Sequence, residues 1–319
     1  MDRRIERLPE EFLEKVKSVY PDRYVQVCNT YLKDKPTTFR VNLLKTDLRE
    51  LRKSLLSNYV RFREIHDVPG AFMLEKTTLR ELQATDIYKK GHIYVQNISS
   101  MIPVIVLLEG RDDFQGNIIL DLCAAPGGKT TQIASLTAGK ADIRAVEIDK
   151  TRFFKLKANV DMQGAHGYVR IFNRNGQDVF KDFENYFDYV LVDAPCSCEA
   201  GFNVNDPRSY SYWSTRKVNE CRSKQKRLLF SGLKCLKPGG TLVYSTCTIS
   251  PEENEGVVNW ALSRFEDVSL DTISFPMKGA VKGLLSWNNK DFDRNLTKTR
   301  RILPSELTEG FYMAKFRKK

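Results

Sequence analysis

The chain has 319 residues, of which 41% are hydrophobic, and its formal net charge at neutral pH is +11. This length supports one large domain or two modest ones, with a core that needs no disulfide bonds. The longest apolar run, MIPVIVLL, is far shorter than the roughly 20 residues of a membrane-spanning helix, and the opening MDRRIERLPEEF lacks the apolar segment of an export signal. We therefore expect a cytoplasmic protein that does not associate with membranes.

The first region, residues 1–109, predicts a small α+β unit. Leu8, Phe12, Val16 and Tyr20 recur at helical spacing. The segment TTFRVNLLK then has the pattern of a strand, and DLRELRKSLLSN has that of another helix.

The second region, residues 110–319, alternates apolar strands with helical patterns, from NIILDL through FDYVLVDAP to GGTLVYST. This alternation predicts a mainly parallel, doubly wound sheet with helices on both faces. The segments SLDTISF and GFYMAKF predict an antiparallel hairpin at one edge. Together they indicate an α/β fold with a Rossmann-like methyltransferase core.

The turn after the first predicted core strand, DLCAAPGGKTTQ, is the expected place for a cofactor. Gly127 and Gly128 allow the backbone to approach a ligand, and the small Ala124 and Ala125 leave room above them. One strand later Glu147 stands where a carboxylate can accept both hydroxyls of a ribose.

Three kinds of cofactor compete for this turn. A phosphate-binding loop requires an earlier glycine where Cys123 stands, and the dinucleotide pattern G-x-G-x-x-G is absent. A nucleoside-type ligand without phosphates fits both the glycine-rich turn and the ribose carboxylate. The pattern therefore favours S-adenosylmethionine.

Asp193 and Cys196 follow the fourth predicted core strand and Cys247 follows the fifth, so all three should face the cofactor loop. A thiolate beside a methyl donor has a specific use, because C5 of cytosine is a weak nucleophile and thiolate attack on C6 activates it. Asp193 can bind the amino edge of the base, and a second thiol can assist proton removal or product release.

The other cysteines and the histidines indicate no further site. Seven cysteines form an odd count without a spacing framework, so we expect free thiols. Cys28, Cys221 and Cys235 fit a hydrophobic core. We expect no metal ion, because there is no C-x-x-C pair and the histidines are remote from Cys196 and Cys198.

Four motifs, DLCAAPGGKT, VEIDKTR, VDAPCS and YSTCTISPEENE, resemble those of the RNA cytosine-C5 methyltransferases of the Nol/Nop/Sun type, which include bacterial 16S rRNA and archaeal tRNA enzymes. The segments TTFRVN, YVQNISSMIP and RILPSELTEGFYMAKFRK extend the likeness over nearly the whole chain. The resemblance implies formation of 5-methylcytidine from S-adenosylmethionine in a structured RNA. It also implies that the first region is an RNA-recognition-like unit.

The resemblance implies roles for individual residues. Cys247 would bond to C6, Cys196 would help to release the product and Asp193 would support catalysis. DNA enzymes attack with the equivalent of Cys196, so the additional Cys247 favours RNA. The cofactor contacts that the resemblance implies or the turn predicts are Cys123, Ala124, Ala125, Pro126, Gly127, Gly128, Lys129, Glu147, Arg152, Asn175 and Asp193.

Basic residues are the candidate RNA contacts. The resemblance points to Arg40 and Asn42 in FRVN. The basic clusters RKVNECRSKQKR and TKTRR add Arg216, Lys217, Arg300 and Arg301.

The sequence departs from the family pattern in three places. Cys198 and Ala200 stand where glycines are usual, and Asn175 stands where an acid is common. The segment GFNVNDPR lacks the basic pair that is common in that loop, so we expect different RNA contacts there.

Two other functions compete with cytosine methylation. The chain could be an RNA-binding assembly factor on a methyltransferase fold, or an enzyme that methylates a base amino group, although the latter favours a [DN]-P-P-[YFW] turn. We expect a monomer, and the loop SCEAGF…DPRSYSYWS slightly favours ribosomal RNA over transfer RNA.

Overall fold

The computed structural model describes residues 2–319, and its N-terminal part contains a small antiparallel sheet. The strands have the order β2-β3-β1-β4. Helix α3 begins after Asp47, whose side chain caps the Glu50 N–H, and buries Leu51 and Leu55 against the sheet. The elements of this part are α1 (Glu10–Val19), α2 (Tyr24–Thr30), β1 (Thr38–Val41), α3 (Leu48–Ser57), β2 (Phe62–Ile65), β3 (Ala71–Leu74), α4 (Leu79–Ala84), α5 (Asp86–Lys89) and β4 (Ile93–Val95).

The first helix packs on the C-terminal region instead of on the small sheet. The predicted apolar stripe lies on α1 and its flanks, as expected from its spacing. The Phe12 ring lies 4.8 Å from that of Phe202 and 5.8 Å from that of Trp213, measured between ring centroids. Helices α1 and α2 are therefore joined to the second region by an apolar cluster.

A second, larger sheet forms the rest of the chain, with strand order β11-β14-β15-β9-β8-β5-β6-β7 and with β10 beside β15. Its elements are α6 (Ile98–Leu108), β5 (Ile118–Asp121), α7 (Gly128–Leu136), β6 (Asp142–Glu147), α8 (Lys150–Met162), β7 (Val169–Asn173), β8 (Phe187–Asp193), α9 (Thr215–Cys235), β9 (Leu236–Thr246), α10 (Glu255–Arg264), β10 (Val268–Asp271), β11 (Ala280–Lys282), β14 (Arg300–Ile302) and β15 (Phe311–Lys318). A separate two-stranded sheet pairs β12 (Ser286–Trp287) with β13 (Lys290–Asp291).

The predicted parallel, doubly wound sheet is confirmed. Strands β5 to β9 pair in parallel, while β15 runs antiparallel to β9 and to β10. Residues of β5 alternate between two cores, with Ile119 in one and Leu120 in the other. Burial on both faces explains the continuous apolar run of this strand.

Helix α6 packs in the core of the large sheet, together with α7 and α8, whereas α9 and α10 cover the other face. In the sequence, α6 ends just before residue 109, where we placed the boundary between the two regions. That boundary stays a prediction. Across residues 2–319, no helix is both long and apolar enough to cross a membrane.

Candidate active site

The strand order brings the carboxyl ends of β5, β6, β8 and β9 to one edge of the large sheet. Ligands of open α/β sheets bind at this kind of switch point. A cleft of about 650 Å³ opens there, and a smaller cavity of about 180 Å³ adjoins it. The sequence-predicted residues that line the cleft are Cys123, Ala125, Pro126, Lys129, Glu147, Arg152, Asn175, Asp193, Lys217, Cys196 and Cys247. Ala124 and Gly128 line the smaller cavity.

The backbone conformation of the loop between β5 and α7 is set by its glycines and by side chains of α8. Gly127 has a φ of 109°, which L residues rarely adopt, and it directly precedes α7. Arg152 donates to the carbonyl oxygen of Ala125 at 2.6 Å, and Asn159 donates to that of Pro126 at 2.7 Å. These bonds fix the backbone that faces the cleft.

Two acidic side chains end strands at the cleft. Glu147 is 3% exposed, accepts a bond from the Asp149 N–H at 2.8 Å and lies 3.5 Å from the Arg152 guanidinium. Asp193 accepts bonds from Ser245 and Lys129, each at 2.7 Å. Both carboxylates are thus held at known positions and keep lone pairs for a ligand.

Asn175 follows β7 and also lines the cleft. Its oxygen accepts the Gln177 N–H at 3.1 Å, and its amide donates to Asp178 at 3.0 Å. These bonds fix the orientation of the amide and leave one lone pair of its oxygen for a ligand.

Three cysteine thiols converge beside Asp193. The sulfur of Cys196 lies 3.2 Å from that of Cys247 and 3.9 Å from that of Cys198, and the last two are 3.8 Å apart. Strands β8 and β9 are parallel neighbours in which Asp193 pairs with Ser245. The loops that follow therefore leave the sheet side by side. The expectation of no metal ion rested on the missing C-x-x-C pair and the remote histidines, and it did not take Cys247 into account.

The three thiols shift one another's pKa in different directions. Hydrogen bonds from Cys196 and Cys247 lower the pKa of Cys198, and the nearby charges of Arg152 and Lys217 act in the same direction. The pKa of Cys196 is raised well above its usual range by its contacts with Cys198 and Cys247 and by burial. For Cys247, the bond with Cys196 lowers the pKa, but the contact with Cys198 and burial outweigh it and raise the pKa.

Cys198 also has an unusual backbone. Its φ of 57° lies in the left-handed region, where glycine has no steric penalty. The chain adopts this turn with a cysteine, at the position where the resemblance led us to expect glycine.

A buried carboxylate supports the cysteine loop from below. Glu253 accepts the Ser197 N–H at 3.1 Å, the Ser197 hydroxyl, and the side-chain amide of Gln225 at 2.6 Å. Burial, followed by the charge of Glu199, raises the pKa of Glu253 to about 8. The hydrogen-bonded carboxyl group fixes the residue between the two cysteines.

Glu199 forms a second support that sequence reasoning missed. Its buried carboxylate accepts bonds from Thr248 and Ser250 at 2.6 Å and from Trp213 at 2.8 Å, and Lys15 of α1 lies 3.8 Å away. The acid-rich PEENE after Cys247 contains Glu253 but not Glu199, so it was a signal for the first support alone.

Two candidate RNA contacts in the first region are wrong. Arg40 is 4% exposed and donates to Gly128 O at 3.0 Å and to Thr131 at 2.9 Å. Asn42 is completely buried and donates to the carbonyl oxygens of Gly91 and Gln163, both at 2.8 Å. Both side chains attach the small sheet to α7 and α8, so neither can reach a phosphate.

Arg301 is also wrong as an RNA contact. It is 1% exposed, and its guanidinium binds Glu255 at 2.6 Å and the carbonyl oxygen of Ile249 at 2.9 Å. The neighbouring Arg300 is half-buried and donates to carbonyl oxygens of the preceding turn. RNA contact by Arg300 stays a prediction.

Arg216 and Lys217 lie in the first turn of α9. Arg216 is exposed and pairs with Glu220 at 3.1 Å, while Lys217 lines the cleft. Their contact with RNA stays a prediction.

Residues 106–317 match the family model of the 16S rRNA methyltransferases RsmB/F, and residues 8–79 match the ferredoxin-like domain of RsmF/B-like methyltransferases. The chain belongs to this methyltransferase family. The sequence-based resemblance is thereby confirmed, and the chain is an enzyme of the methyltransferase class.

Two relatives illustrate the breadth of the family. The chain is 37% identical over 283 residues to the tRNA (cytosine(49)-C(5))-methyltransferase of Pyrococcus abyssi, covering 88% of each protein. It is 35% identical over 322 residues to the ribosomal RNA small subunit methyltransferase F of Vibrio vulnificus, covering 98% of this chain and 64% of that relative. The chain thus spans less than two thirds of the F-type relative.

Solved structures share the fold. A methyltransferase homologue from Pyrococcus horikoshii has a TM-score of 0.83 and 31% identity, with 100% of both chains covered. NSun6 from the same organism has a TM-score of 0.81 and 21% identity, covering 98% of this chain and 99% of its own. At that identity, NSun6 supports the fold alone.

Proposed function

We propose that this chain transfers a methyl group from S-adenosylmethionine to C5 of cytosine in a structured RNA. The observation that carries the proposal is the 3.2 Å separation of the Cys196 and Cys247 sulfurs in the cleft that the glycine-rich loop also lines. Two thiols beside a carboxylate suit activation of a pyrimidine at C6.

The side chains around the loop fit S-adenosylmethionine. Glu147 offers the carboxylate oxygens that a ribose requires, and the oxygen of Asn175 can accept the adenine amino group. Lys129, the cation of the turn, is engaged by Asp193 and Ser100, which suits a ligand without phosphates. When bound, the cofactor supplies an electrophilic methyl group.

Cys247 acts as the nucleophile in this proposal. Its thiol gives its proton to the solvent when the base binds, and its sulfur bonds to C6, which makes C5 enamine-like. After C5 is methylated, a base removes the C5 proton, and the electron pair released expels the thiolate of Cys247. Cys196, in contact with Cys247, is placed to take part in that proton transfer.

Asp193 orients the base. Its carboxylate is held by Ser245 and Lys129 and can accept a hydrogen bond from the cytosine amino group. The target must leave the base stack to reach the cleft, as for other enzymes that act on bases. Arg216 and Lys217 at the start of α9 are proposed to contact the RNA backbone.

The test is transfer of labelled methyl from S-adenosylmethionine to small-subunit ribosomal RNA and to transfer RNA, followed by nucleoside analysis. We expect 5-methylcytidine with the wild type and none with Cys247→Ala. Both RNAs are assayed because relatives of this chain are named for each. Labelling of another nucleoside, or equal labelling by Cys247→Ala, contradicts the proposal. Cofactor binding without labelling of either RNA favours an RNA-binding assembly factor.

A further inference from the structure

The sulfurs of Cys196, Cys198 and Cys247 form a triangle with sides of 3.2, 3.8 and 3.9 Å. Two thiolates bound tetrahedrally to one Zn²⁺, each at about 2.3 Å, lie about 3.8 Å apart. Two sides of the triangle therefore already have the length of a zinc–thiolate site. The third side, between the sulfurs of Cys196 and Cys247, must lengthen by about half an ångström.

The surroundings also suit an ion. The triangle lies open to the cleft, since Cys198 is exposed and the other two thiols are half-buried. Three thiolates and one divalent cation carry a net charge of −1. The same cleft is lined by Arg152, Lys217 and Lys224, whose positive charges offset this negative charge.

We propose that these three thiols form a binding site for one soft divalent cation of the Zn²⁺ and Cd²⁺ class, with a fourth coordination position open to the cleft. Thiolates prefer such cations over Mg²⁺ or Ca²⁺. Binding of the cation releases to the solvent the protons that the three sulfurs still carry, so no oxidant or reductant is required.

The site is inhibitory. If Cys247 attacks C6, as proposed above, the sulfur lone pair that binds the metal is the one that attacks the base. A bound cation and a cytosine adduct therefore exclude each other. This consequence rests on the proposed function, whereas the binding of the cation does not.

Cys198 provides the decisive variant. Its left-handed φ of 57° is one that glycine adopts freely, so Cys198→Gly removes one sulfur without straining the turn. Cys28→Ala is the matched control, because it removes a buried thiol in the cluster around α1 and α2.

The first test titrates the full chain with Cd²⁺ and follows the ultraviolet charge-transfer band of cadmium–thiolate bonds. We expect saturation at one equivalent for the wild type and for Cys28→Ala, and an affinity at least about 100-fold weaker for Cys198→Gly. Equal affinities of the wild type and Cys198→Gly, or no band with the wild type, overturn the proposal. This readout needs no RNA, so its failure is separate from a failure of methylation.

The second test measures methyl transfer against Zn²⁺ concentration, with each variant compared with its own metal-free rate. We expect a chelator to restore the wild-type rate and Cys198→Gly to need at least about 100-fold more Zn²⁺ for half-inhibition. Equal half-inhibition in both proteins overturns the inhibitory role.

Discussion

The Glu253 carboxyl group accepts hydrogen bonds from both the backbone N–H and the hydroxyl of Ser197, the residue between Cys196 and Cys198. One of the two buried acids that support the cysteine loop thus lies on the loop after β9. The neighbouring strands β8 and β9 carry the two halves of the candidate site, and this contact fixes one half against the other.

The first prediction concerns the stability of Glu253→Gln. Burial raises the pKa of Glu253 from 4.5 to about 8 in the folded chain. Between these two values the folded state holds a proton that the unfolded state has lost, so the contribution of this group to stability falls as the pH rises. Glutamine does not titrate, so the variant lacks this contribution.

Urea unfolding at pH 5 and pH 8 measures the difference. We expect the wild type to lose more free energy of unfolding than Glu253→Gln over this interval. An equal loss in both proteins shows that Glu253 is not protonated in the fold. Glu253→Ala serves as a reference at both pH values and should lose about 1–3 kcal/mol, because the buried N–H of Ser197 loses its acceptor, while the Ser197 hydroxyl and the Gln225 amide keep only their bonds with Thr248 and Pro195.

The second prediction concerns the buried ion pair of Arg301 with Glu255. Arg301→Met leaves the carboxylate of Glu255 buried without a counter-charge, and we expect a loss of about 3–5 kcal/mol in the free energy of unfolding. The control is Arg300→Met at the half-buried neighbour, which should lose less than about 1 kcal/mol. Similar values for the two variants, measured by chemical denaturation, contradict the structural role of Arg301.

The third prediction concerns Arg40 as a positioning residue for the cofactor loop. Its guanidinium holds Gly128 O and Thr131 in the first turn of α7. We expect Arg40→Met to weaken binding of S-adenosylmethionine at least about tenfold, since loss of a charged hydrogen bond corresponds to about 1.5–3 kcal/mol.

Calorimetric titration checks this prediction. The matched control is Arg63→Met, which removes an exposed arginine of the same small sheet that pairs with Glu75 at the surface. Arg63→Met should bind the cofactor like the wild type. If Arg40→Met does so as well, the contact between the sheet and α7 does not position the loop.

The strand ends and the glycine-rich turn were predictable because they depend on local pattern. Burial on both faces gives β5 and β8 apolar runs, and parallel strands place their following residues at one edge. The convergence of Cys196 and Cys247 follows from that rule. The approach of Cys198 to these two sulfurs was not predictable from that rule alone. It also depends on the register in which Asp193 pairs with Ser245.

The basic residues were less predictable, because an arginine in a sequence does not reveal whether its partner lies in solvent, in RNA or in the protein. Arg40 and Arg301 find carbonyl groups or a carboxylate across long sequence separations. The position of α1 on Phe202 and Trp213 has the same cause, since an apolar stripe indicates burial but not against which element.

The fourth prediction tests the central claim, that Cys247 bonds to the base and Cys196 aids release. Cys196→Ala is incubated with S-adenosylmethionine and substrate RNA, digested with nuclease and protease, and analysed by mass spectrometry. We expect a nucleotide adduct that accumulates on the peptide containing Cys247, and no adduct with the Cys196→Ala/Cys247→Ala double variant. An adduct that instead forms on Cys196 in the Cys247→Ala variant, with none on Cys247, contradicts the account.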